Sequence, residues 1–75
     1  MLFYSRLEGK TVVFRLFGMT GHFLGKLEKT EQNGVWLVSE DFVKWLGADV
    51  GPIEKPVLFL PLSSLLYLVA ENEEV

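Results

Sequence analysis

The chain has no cysteine, a single histidine, three prolines and no excess of positive charge. Without cysteine there is no disulfide framework, no thiolate metal site and no cysteine nucleophile, so a fold of 75 residues must rest on packing or on association with other chains. His22, the one imidazole, has neither an acidic residue nor a second histidine at ligand or relay spacing, and reads as a surface histidine. A membrane-length apolar segment is missing as well. The uncharged run Val57 to Val69 is broken by Pro61 and Ser63-Ser64 and falls short of the roughly 20 residues a spanning helix needs. Met1 to Arg6 lacks the basic start, apolar stretch and small-residue cleavage site of a secretory signal, so the expected location is the cytoplasm.

The net charge of −3 is carried by Glu71, Glu73 and Glu74, because seven acids meet seven bases up to Ala70. A neutral body has no long-range positive field to concentrate nucleic acid. The expected organisation is one domain over residues 1–70 with a solvated acidic tail over 71–75.

What is present is apolar and strand-like: 49% hydrophobic and 13% aromatic residues exclude general disorder. Thr11 to Phe17 alternates Val12, Phe14 and Leu16 against Thr11, Val13, Arg15 and Phe17, the period of a strand buried on one face. His22 to Thr30 alternates again, with Gly25 marking an expected bend or bulge. Asn33-Gly34 is a strong hairpin signal for a type I′ turn, with Val35 to Val38 as the returning strand. Ser39 or Glu40 starts a helix of one or two turns carrying Phe42, Val43, Trp45 and Leu46, and Gly47 stops it. Ala48 to Pro56 reads as a loop, Val57 to Leu60 and Leu65 to Ala70 as the last strands, and Pro61 to Ser64 as their corner. The expected fold is therefore all-β, a five-stranded small barrel with a short helical insertion between strands 3 and 4.

The residues offer no catalytic set. Ser63-Ser64 lacks a nucleophile-elbow context and a His/Asp partner set, and Glu40-Asp41 is accounted for by a helix start. Gly18-x-x-Gly21 has the spacing of a KH-type clamp but joins strands instead of helices, and Gly25-Lys26 lacks the remainder of a P-loop. No enzyme, metal or cofactor is expected. The run Val57 to Val69 is apolar on both strand faces, more than one small core can cover, and predicts a homo-oligomer. The expected interface residues are Leu58 or Leu60 on the fourth strand and Leu66 or Leu68 on the fifth. Phe42 and Trp45 are candidates for presentation to a protein partner.

Leu7-Glu-Gly-Lys-Thr-Val-Val-Phe-Arg-Leu16 resembles the opening strand of the Sm-like family of ring-forming barrels, and Gly25 to Gln32 resembles its first motif. Leu58 to Leu68 resembles the second motif, and the similarity spans about nine-tenths of the chain. The resemblance implies that the barrel is a small SH3-like/Sm-like one, that it forms a ring and that its ligand is single-stranded RNA. Glu31 stands where the family has Asp, Val35 where it often has an RNA-contacting Asn, and Phe59 and Leu60 where it has polar readers, so ring assembly is implied more firmly than a uridine pocket. Any RNA contact is expected to be weak and to draw on Arg6, Lys10, Arg15, Lys26 or Lys29.

Overall fold

The computed structural model describes residues 5–47 and 51–71. Residues 1–4, the first three residues of the expected 48–56 loop (48–50) and the tail beyond Glu71 lie outside the described residues. Five antiparallel strands form one sheet: β1 (Thr11–Leu16), β2 (Phe23–Glu31), β3 (Gly34–Val38), β4 (Leu58–Pro61) and β5 (Leu65–Ala70). Their spatial order is β4-β3-β2-β1-β5. One helix, α1 (Glu40–Leu46), lies between β3 and β4, and 3-10 turns occupy Ser5–Leu7 and Leu62–Ser64. The sheet is not closed into a barrel. The Leu62–Ser64 corner sends the chain across to β1, where Phe17 donates its N–H to the Ser64 carbonyl at 3.0 Å, so β4 and β5 are consecutive in sequence but lie at opposite ends of the sheet.

The period-2 patterns set the faces. Val12, Phe14 and Leu16 of β1 turn inward and join Leu27, Val35, Leu37, Phe42 and Leu60 in one core, while Thr11, Val13 and Arg15 turn out. Two local expectations differ in detail. The hairpin pairs Glu31 with Gly34, which puts Gln32 and Asn33 at the turn, and neither has the positive φ of a type I′ turn. Gly34 is needed for a different reason: a Cβ there would lie 2.8 Å from Phe59 Cε1 and 2.7 Å from the Leu60 carbonyl oxygen. Gly25 is likewise a close-approach residue, with the Val38 carbonyl oxygen 2.8 Å from where its Cβ would be. The bulge falls later, where the β2–β3 register skips between Leu27 and Lys29.

Helix α1 has both ends closed. The Ser39 hydroxyl accepts from the Phe42 N–H at 3.2 Å and donates to the Leu24 carbonyl at 2.7 Å, so the cap also fastens the helix to β2. Gly47, at φ 71°, donates its N–H to the Val43 carbonyl. In the first turn, the Asp41 carboxylate accepts the Leu24 N–H at 3.1 Å, a second tie to the same strand.

The segment before β1 is held as a strap along the second half of β2. Gly9 N–H donates to the Leu27 carbonyl at 2.6 Å, and Leu27 N–H returns a bond to the Lys10 carbonyl at 2.9 Å. The Glu8 carboxylate accepts both the backbone N–H of Thr30 at 2.6 Å and its hydroxyl at 2.8 Å. Thr30 is buried, so Glu8 satisfies a donor that the sheet leaves without a partner on that side. The Thr30 backbone bond first, then the hydroxyl bond, outweigh partial desolvation and with the nearby Lys29 charge hold the Glu8 carboxyl below its ordinary value. A depressed carboxylate contributes stability that is present above its unfolded pKa and is lost as pH falls through the folded value. The stability difference between wild type and Glu8→Gln, measured by urea unfolding, should be constant near neutrality and shrink below about pH 4.5. A difference independent of pH down to 3 would show that the carboxylate is not the acceptor.

Candidate interaction surfaces

The ends of the sheet are the first surface. Among the described residues β4 pairs only with β3 and β5 only with β1, so each carries one backbone edge without a described partner strand. Of the four leucines expected at an interface, Leu60 is buried in the core and Leu58 and Leu68 pack against it. Strand parity turns them inward. Leu66 alone is exposed, at 45%, because the β1–β5 register shifts between Arg15 and Leu16 and leaves Leu66 without a cross-strand partner. The outward apolar side chains beside the free edges are Phe59 on β4 and Tyr67 and Val69 on β5. Phe59 packs on Trp36, ring centroids 4.9 Å apart, and the Trp36 indole N–H donates to the Glu31 carboxylate.

The second surface is aromatic. Phe14, Phe23, Phe42 and Trp45 form a connected set with ring centroids 4.9 to 6.2 Å apart. Phe42 is 7% exposed and belongs to the core, where the apolar stripe of α1 meets Phe14 and Phe23, so it is not a side chain α1 presents to a partner. Trp45 is 60% exposed, steadied by Phe42 and Phe23. It forms one wall of a cleft of about 440 Å³ whose other wall is the Gly18–His22 loop. No charged side chain lines this cleft. His22 sits here, exposed.

The five basic candidates are spread over the sheet. Lys26 stands across from Thr11 and lies 4.0 Å from Glu28, and the Lys10 ammonium donates to the Glu71 carbonyl at 3.2 Å. Arg15 lies at the far end of β1, about 13 Å further along the strand, and is half-buried with Nε donating to the Met19 carbonyl at 3.0 Å. Lys29 is exposed near Glu8, and Arg6 is exposed on the strap. The hydroxyl of Ser64 donates to the Pro61 carbonyl at 2.7 Å, a bond within the corner. Among the described residues no group of three or more His, Cys, Asp or Glu could hold a metal ion, and no helix is long and apolar enough to cross a membrane.

Pattern reading did not find the Glu8–Thr30 and Trp36–Glu31 bonds, whose partners are 22 and 5 positions apart. Nothing in the spacing marks either pair. Comparison with protein-family models, curated proteins and solved structures finds no match to the chain.

The two α1 aromatics should separate on substitution. Phe42→Ala removes a core ring and should cost about 3–5 kcal/mol, whereas Trp45→Ala loses two ring contacts and should cost about 1–2 kcal/mol. Urea unfolding of the two variants checks this ranking; equal losses would place Trp45 in the core.

Proposed function

We propose that the protein is a non-enzymatic scaffold that assembles with copies of itself into an Sm-like ring, the β4 edge of one subunit pairing with the β5 edge of the next. The observation carrying this reading is the pair of edges, unpartnered among the described residues, at opposite ends of one five-stranded sheet, each flanked by outward apolar side chains. Two different edges make a head-to-tail contact, which gives a ring when the rotation between subunits closes. Strand addition satisfies the edge groups and removes Phe59, Tyr67 and Val69 from water. The body's balanced charge and the placement of Val35 and Leu60 in the core, at positions where the resembled family has polar readers, support weak RNA binding only. The exposed Trp45 supports a second reading, a protein-interaction module that uses the cleft beside α1.

Light scattering at micromolar concentration should give an integral multiple of the 8.5 kDa subunit mass, and Val69→Lys on the β5 edge should reduce it. A well-folded wild-type monomer would overturn the assembly. With labelled oligo-U, two or three phosphate contacts, each worth a salt slope of about 0.7, should leave little anisotropy signal at physiological salt. Nanomolar, uridine-selective binding under those conditions would make RNA recognition the primary function.

A further inference from the structure

Between the strap, the Leu62–Ser64 corner and β5 lies an apolar pocket, open to solvent on one side, that neither assembly nor RNA binding uses. It has a volume of about 170 Å³ and is lined by Leu7, Leu27, Val35, Leu62, Leu65 and Leu68. Every lining residue is aliphatic, and a water molecule, which needs two to four polar partners, finds no side-chain donor or acceptor there. Water in such a pocket is poorly held and is displaced favourably by an apolar group; by volume the space matches an engineered apolar cavity of about 150 Å³ that binds benzene or xenon.

Voids lined by flexible leucines often collapse, and the cost of a void depends on how far its walls can relax. Here both walls are pinned through backbone groups. Leu7 rides on the strap, which is fixed to β2 by the reciprocal Gly9–Leu27 and Leu27–Lys10 bonds and by Glu8 on Thr30. Leu62 N–H donates to the Asn33 carbonyl at 3.0 Å, and the Ser64 carbonyl accepts from Phe17 at 3.0 Å, so the corner carrying Leu62 and leading into Leu65 is tied to both the β2–β3 turn and the end of β1. Leu66, the one leucine of this corner region that could help fill the space, is turned out by the shift in the β1–β5 register. The pocket is therefore held open by backbone hydrogen bonds, among them those of the lining residues Leu27 and Leu62, with the exposed Leu62 at its mouth.

We propose that this cavity is a binding site for a small uncharged apolar group of about six heavy atoms, either a compact molecule or the end of an acyl chain. The site lies within one subunit, so the inference stands or falls separately from assembly.

Wild-type protein is titrated with benzene, as the compact probe, and with 1-hexanol, as the chain end, while the thermal midpoint and the leucine and valine methyl NMR signals are followed. The expected result is a rising Tm and saturable shifts confined to methyls of the lining residues, since a ligand bound only by the folded state stabilises it by mass action. A response to benzene alone assigns free compact molecules as the ligand class; an equal or larger response to hexanol assigns chain ends. Leu65→Phe, which fills the space, should abolish the shifts. If that variant does not fold, the wild-type methyl map decides alone. No saturable shift with either probe up to its solubility, or shifts centred on the exposed Leu24, Leu66 and Val69, would overturn the proposal.

Discussion

The structure depends on a change of partner within β2. Its first half pairs with β1 as far as Lys26, and from Leu27 onward that side of the strand is taken by the Glu8–Lys10 strap. The extra residue at Glu28 bends the strand at this changeover. A nine-residue strand with one unbroken neighbour would be a flat, two-faced ribbon; bent here, it wraps its inward side chains around Phe14 and Leu37, which are fully buried. The helix is tied to this strand at Leu24, and the aromatic set and the leucine pocket share the core residues Phe14, Phe42, Leu27 and Val35 beside it.

The order of energies explains why so small a domain holds together without cross-links. A chain of this size buries only about 60% of its unfolded surface. Aromatic residues supply a large apolar payload per residue, and Phe14, Phe23 and Phe42 pack their three rings against one another across β1, β2 and α1. Polar groups inside the fold are few and paired: among the described residues no buried side-chain nitrogen or oxygen lacks a hydrogen-bond partner. Ser39 illustrates the economy, one hydroxyl serving as both helix cap and tether to Leu24.

Periodicity made the strands and helix legible, because alternation in Thr11–Leu16 and the capped stripe from Ser39 to Gly47 are local signals. What it could not supply was the side of closure. In Val57 to Val69 both strand faces are apolar, so pattern alone does not say which leucines turn inward, and Leu58, Leu60 and Leu68 go to the core while Phe59 and Val69 go to solvent. Glycine was legible as a marker but not as a mechanism: Gly25 and Gly34 were readable as bend and turn, and each is required because another backbone or ring approaches it. Long-range polar ties such as Glu8 to Thr30 leave no trace in spacing, and with them the strap and the cavity beneath it were beyond reach of the sequence.

The pairing of β1 with β5 places Val12 opposite Ala70, nearly the whole described chain apart. The other ladders join neighbours in sequence or, for β3 with β4, span only the helix and its following loop. Loop-closure entropy grows with the length enclosed, so the meander from β1 to β4 gains its contacts early and the β5 ladder comes last, against an almost complete sheet. Until it docks, the Phe14 strand has a bare flank. All eight buried core residues precede β5, so a nascent chain lacking that six-residue strand would hold them without the means to cover the β1 flank.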